Sequence, residues 1–221
     1  MSTAVRHLIV KDLSLMRWWM VGTIGGGLVA AWLMTLSAQP ISAGGVLMLC
    51  TLIILNIFMV MGGVVTERKE HVTLFLFTFP VSRRQYVAAK VVANAIAFGL
   101  PWLVLSLAVV AAIRLSAIPD GYLPLWTSLL GFVFFYYCVL LAVGLNTEAN
   151  GWHATTITIG NISVNFFIML LFGVPSVQRF GSGPTAVWAP DILILTVGEM
   201  ALGVIVLVVG AVTRARRADF I

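Results

Sequence analysis

The sequence predicts an all-α integral membrane protein with six membrane-spanning helices, and three observations predict it. Of its 221 residues, 61% are hydrophobic and only 10% are charged, whereas a soluble domain carries about a quarter charged residues. The apolar residues gather into six runs, each long enough as a helix to cross the roughly 30 Å hydrocarbon layer. The runs are continuous rather than alternating, which argues against a barrel, the other fold that satisfies its backbone in lipid.

The elements follow in chain order. In residues 1–17, Val5, Leu8, Ile9 and Met16 recur at helical spacing, with Arg6, Lys11, Asp12 and Arg17 off that stripe. This pattern predicts an amphipathic helix lying on the membrane face. The spans are expected at about 18–37, 46–65, 91–113, 125–145, 155–174 and 192–212, within a single transmembrane domain over residues 1–221. Leu36-Ser37-Ala38 resembles a signal-peptide cleavage site. The run before it is longer than a signal core, so it is expected to be a retained span. Trp18, Trp19, Tyr122, Trp126, Trp152 and Trp188 fall at or near span ends, as interfacial aromatics do. Pro101 is expected to kink the third span. Cys50 and Cys138 lie inside apolar runs and read as small buried hydrophobes.

Charge sets the expected orientation. Eleven of the thirteen Lys and Arg residues share one side. Arg6, Lys11 and Arg17 precede the first span, Arg68, Lys69, Arg83, Arg84 and Lys90 separate spans two and three, and Arg214, Arg216 and Arg217 follow the last. Arg114 and Arg179 fall on the other side. Basic residues collect in the cytoplasm, so both termini are expected there, as an even number of spans also requires. The net charge of +5 is accounted for by this bias, without a nucleic-acid partner.

The most charged stretch, TERKEHVTLFLFTFPVSRRQY over residues 66–86, holds a run too short to cross a membrane. Read as a helix from Glu67 to Phe79, it places Val72, Phe75, Leu76 and Phe79 on one continuous face. Leu74 and Phe77 fall nearly opposite, among Glu67 and Glu70. A solvated surface helix would not carry Leu and Phe there. The pattern suits a helix held on two sides, by its own bundle and by a pocket on a separate cytoplasmic protein. A strand-like loop on the membrane surface is the alternative. Pro80 ends the helix. Ser82 and Gln85 form an S-x-x-Q capping box that starts another, running through Lys90 into the third span.

These residues resemble the first cytoplasmic loop of the type-2 ABC exporter permeases. The matching positions are Glu67, Thr73, Pro80-Val81-Ser82-Arg83 and Lys90, with Phe79 replacing the family's leucine and Val72 its glycine. Lys11-Asp12-Leu13 and the basic stretch from Arg214 to Phe220 are similar to the family's two ends. The resemblance implies that residues 67–80 are a coupling helix seated in a groove of an ABC ATP-binding subunit. Its contact residues would be Glu67, Arg68, Glu70, His71, Thr73, Leu74, Phe77, Pro80, Ser82 and Arg83. It implies a connecting role for the N-terminal helix and a lighter ATPase contact at Asn146–Ala154. It further implies two ATP-binding subunits and a second permease protomer, either an identical copy or a paralogue. The expected setting is a bacterial-type cytoplasmic (inner) membrane. In the family the outer segment, here Pro175–Pro190, often holds short re-entrant helices; a plain loop is the other reading.

The chain carries little chemistry of its own. Lys11, Lys69 and Lys90 are followed by Asp, Glu and Val, so no G-x-x-x-x-G-K-[ST] loop exists to cradle ATP. No cofactor is expected in this chain; ATP and Mg belong to the partner subunit. His7, His71 and His153 show no metal-ligand spacing, and no catalytic residue is expected. Glu199 lies within the sixth span, where a carboxylate is expensive and faces a bundle interior or a cavity. Glu199, Asn56, Asn161 and Asn165 are the candidates for a substrate pathway, although buried amides more often join helices; Asn94 and Ser163 are further in-span polar residues. The expected function is the permease subunit of an ATP-driven exporter of hydrophobic or amphipathic cargo (lipid, drug or antimicrobial peptide). The competing classes are an ion-coupled secondary transporter and a non-transporting assembly factor.

Overall fold

The structure is a computed structural model that describes residues 3–37, 39, 41–65, 82–147 and 149–216. The predicted coupling helix therefore lies outside the described residues. Among the described residues every regular element is a helix: α1 (Thr3–Thr35), α2 (Ala43–Val60), α3 (Arg83–Arg114), α4 (Leu123–Asn146), α5 (Asn150–Gly173), α6 (Pro175–Phe180) and α7 (Pro190–Arg216). All but the six-residue α6 are long and apolar enough to cross a membrane. Successive spans alternate in direction, so the start of α1, the end of α2, the start of α3 and the end of α7 meet at one end, the basic end.

The N-terminal segment differs from the expectation. Residues 3–17 are not separated from the first span but form the first half of α1, which runs unbroken for 33 residues. The apolar stripe is present, and it packs on protein: Val5 and Ile9 are buried with Ala89 and Ala93 of α3, and Met16 joins the main core. Both α1 and the 32-residue α3 amount to roughly 50 Å of helix, well beyond a bilayer's hydrocarbon. Pairing with each other satisfies the excess length.

Caps fix where the helices begin. Ser42 accepts the Gly45 N–H at 3.3 Å to start α2. The S-x-x-Q box is formed as its sequence predicts: the Gln85 N–H donates to Ser82 Oγ at 3.3 Å, and the Ser82 N–H donates to Gln85 Oε1 at 3.0 Å. Helix α3 continues through Pro101.

The central element is α4, the most buried span. The Phe98 ring of α3 stacks on Tyr137 at 3.9 Å between centroids, and the Trp102 indole donates to the Leu130 carbonyl at 3.0 Å. On another side, Phe132 stacks on Phe167 of α5 at 4.2 Å. Helix α7 runs parallel to α4 in strict register. Ser128 bonds Thr196, Gly131 faces Glu199, Phe135 faces Gly203 and Ala142 faces Gly210, a constant separation of 68 residues. Small side chains at these positions let the two helices approach closely, as in other membrane bundles.

Two aromatic and cysteine expectations are corrected. Trp126 is 1% exposed and fills the core rather than the interface, because α4 is enclosed along its length. Cys138 is buried, but Cys50 faces outward from the bundle, and both are free. At the end opposite the basic one, Arg114 pairs with Asp120 at 2.7 Å. There α6 follows α5, and the Ser176 N–H donates to Asp191 at 3.3 Å. The outer segment thus contains one short helix, α6, followed by irregular chain that the Gly121 N–H to Gly183 carbonyl bond (3.0 Å) ties to the turn before α4.

Candidate functional site

The basic end holds a buried ionic node. Lys90, two turns into α3, reaches Asp12 of α1 at 2.7 Å, and both side chains are 2% exposed. Its ammonium also donates to the Gly63 carbonyl at 3.2 Å and lies 5.9 Å from the centre of the Tyr86 ring. Gly63 sits in a π-helical stretch, Met61–Val65, that continues α2. Such stretches are rare and frequent at functional sites, because widening the helix frees backbone groups for other partners. Here the freed geometry presents a carbonyl to a lysine.

Packing holds the node in place. A Cβ on Gly63 would collide with the Met16 methyl group and sit about 3.0 Å from the Asn94 amide, so the glycine lets the side chains of α1 and α3 close onto α2 without shifting. Asn94 donates to the Lys90 carbonyl at 3.1 Å, one turn along α3. An ammonium and a carboxylate withdrawn from water are costly unless mutually paired and further hydrogen-bonded; this pair has both. The node joins three elements and sits at both roots of residues 66–81: Gly63 just before that stretch, and Lys90 on the helix that Ser82 starts just after it.

Of the expected coupling residues, Glu67, Arg68, Glu70, His71, Thr73, Leu74, Phe77 and Pro80 lie outside the described residues. Ser82 is the N-cap of α3 and Arg83 its first residue. The expected pathway residues lie on three helices, α2, α5 and α7. Asn56 is fully buried and its amide donates to the Val133 carbonyl of α4 at 3.4 Å. Glu199 approaches α4 from α7, its carboxylate shielded against Gly131 with no hydrogen-bond partner among the described residues. Asn161 and Asn165 lie on α5, where the Asn165 amide donates to the Asn161 carbonyl at 3.1 Å. Helix α5 is the least buried span, and Thr155, Thr158 and Asn165 lie exposed along its length.

The sequence places Lys90 among the basic residues that set topology, and both Lys90 and Asp12 among the positions that resemble the exporter permeases, but does not pair them. Their partnership spans 78 residues, and no local pattern encodes it. One signal was available: Lys90 sits among Tyr86, Val87, Ala89 and Val91, so a lysine there either reaches water or finds a buried anion. Among the described residues no cluster of His, Cys, Asp or Glu could hold a metal ion.

A family model described as ABC-2 family transporter protein matches residues 35–189, well over half of the chain and including the stretch between α2 and α3. No curated protein and no solved structure matches the chain.

Proposed function

The chain belongs to the ABC-2 transporter family, and on that premise we propose that it is the membrane subunit of an ATP-driven exporter moving hydrophobic or amphipathic cargo. Membership makes it a membrane-embedded permease that associates with an ABC ATP-binding subunit. The finer reading is that two such ATPases serve a pair of permease protomers, with the basic end in the cytoplasm of a bacterial-type inner membrane. ATP binding draws the ATPases together. Residues 67–80 take up the motion and pass it into α2 and α3. The single observation that carries this is the family match spanning the loop and the spans on either side of it.

The node supports the mechanical part. A loop that receives force must be rooted in something stiff, and both its roots are tied through Lys90 to α1. Pushing on residues 66–81 therefore displaces three long helices together rather than one. The exposed face of α5 supports a second protomer: the least buried span turns Thr155, Thr158 and Asn165 outward, and a protomer across a solvated pathway suits such polar groups better than lipid does. Asn161 and Asn165 would line that pathway, and Asn56 would hold the bundle together behind it.

The test is affinity purification of the tagged chain from its native membrane. An ATP-binding subunit is expected to co-purify, and cargo flux in proteoliposomes is expected to need ATP. Flux that follows a proton gradient without nucleotide, and that Glu199→Gln abolishes, would instead establish an ion-coupled carrier. Orientation is checked separately. A cysteine at Ser82 in a background lacking Cys50 and Cys138 should react with a membrane-impermeant maleimide only from the cytoplasmic side, and reaction in intact cells would invert the topology.

A further inference from the structure

At the basic end α3 and α7 touch through Val87, Val91 and Ala211, and a groove of about 500 Å³ runs along that contact. Its walls are apolar, built from Val87 and Val91 on α3 and Ala211 and Val212 on α7. Its mouth carries two cations, Arg84 and Arg216. Each arginine stands one turn above its own apolar wall: Arg84 precedes Val87 by three residues, and Arg216 follows Val212 by four. The groove is therefore charged at the level of the helix ends and greasy toward the membrane centre. Both arginines are exposed, and neither forms an ion pair with a carboxylate among the described residues. Among the described residues no acidic one lines the groove.

We propose that this groove is a binding site for one anionic glycerophospholipid of the leaflet at the basic end. The phosphate sits between Arg84 and Arg216, and an acyl chain lies along the valine and alanine walls. Guanidinium groups bind phosphate through paired hydrogen bonds, and basic pockets between membrane helices at this level select anionic head groups. Length fits as well. From Arg84 to Val92 the groove follows α3 for roughly 12 Å, most of the approximately 15 Å thickness of one hydrocarbon leaflet. A free phosphate would engage the mouth and leave the apolar walls bare. A second protein helix would have to bring a carboxylate to each arginine. A phospholipid satisfies both halves of the groove at once. The site is distinct from the Asp12–Lys90–Gly63 node, and it does not depend on what the protein transports.

Native mass spectrometry of the purified protein, exchanged into detergent with added phosphatidylglycerol or phosphatidylcholine, tests this. Wild type is expected to retain phosphatidylglycerol at least fivefold more strongly. The Arg84→Gln/Arg216→Gln variant is expected to lose that preference, binding both lipids as wild type binds phosphatidylcholine. Ala88→Trp fills the groove while leaving both arginines, and is expected to lower phosphatidylglycerol retention about tenfold; an unchanged value removes the acyl-chain half of the proposal. Inorganic phosphate at millimolar concentration should not displace the lipid. Equal retention of the two lipids by wild type, or an intact preference in the double-arginine variant, overturns the site. The arginines are exposed at helix ends, and an unchanged melting temperature shows that their loss leaves the fold in place.

Discussion

Lys90→Met alone is expected to destabilise the protein by about 3–5 kcal/mol, the usual cost of removing one member of a buried ion pair. The substitution removes the ammonium that pairs with the Asp12 carboxylate at 2.7 Å, 2% exposed, and strips the Gly63 carbonyl of the lysine donor that reaches it at 3.2 Å. For a chain of this length the loss corresponds to a fall in melting temperature on the order of 10 °C. Asp12→Leu is expected to be comparably harmful, since it leaves an ammonium in the same enclosure. The informative variant is the pair, Asp12→Leu/Lys90→Met. Replacing both charges with apolar side chains of similar volume removes the burial penalty along with the attraction, and such replacements are often neutral or stabilising. The double variant should therefore melt much closer to wild type than either single one. Thermal unfolding of the four proteins in one detergent gives the cycle directly. Additive losses would show that the two side chains act independently, and would remove the node as a link between α1 and the roots of residues 66–81.

That node marks the limit of what the sequence makes legible. Six spans can be read from six apolar runs, because membrane helices are specified by length and apolarity within one continuous segment. Ser82 and Gln85 announce the start of α3 for the same reason: a capping box is a four-residue object. The parallel pairing of α4 with α7 is different. Gly203 and Gly210 look like ordinary membrane glycines until Phe135 and Ala142 are placed opposite them. Residues 3–17 show the same limit more sharply. Their stripe at Val5, Ile9 and Met16 is a correct reading of periodicity, but periodicity says that a face is apolar and not what covers it. Lipid was the expected cover, whereas Ala89 and Ala93 of α3 are the observed one. The small side chains on α3 explain why: they leave room for a second helix to lie close along the whole pair. A buried amide such as Asn56 is compatible with a pathway or with helix joining, and its bond to Val133 joins α2 to α4.

Phe77→Asp is expected to separate this permease from its ATPase while leaving the membrane bundle intact, and Leu74→Asp should do the same. The two residues share the side of the predicted 67–79 helix that also carries Glu67 and Glu70, the side assigned to the partner's pocket. Removing a buried phenylalanine from an interface forfeits about 1.5–3 kcal/mol of apolar burial. At roughly 1.4 kcal/mol per tenfold, assembly weakens by about ten- to a hundredfold before the cost of burying the new carboxylate is added. Phe75→Asp supplies the contrast. Phe75 lies on the face with Val72, Leu76 and Phe79, assigned to the chain's own bundle, so its substitution should lower the melting temperature of the permease measured without the ATPase. Two measurements on three variants thus resolve the two faces: melting temperature of the isolated permease, and ATPase retained on the tagged chain. If Phe77→Asp and Leu74→Asp assemble normally, the helix is not held by an external partner on that face. If Phe75→Asp loses the ATPase without losing stability, the faces are reversed, and the force would enter α2 and α3 through the side that carries Val72 and Leu76.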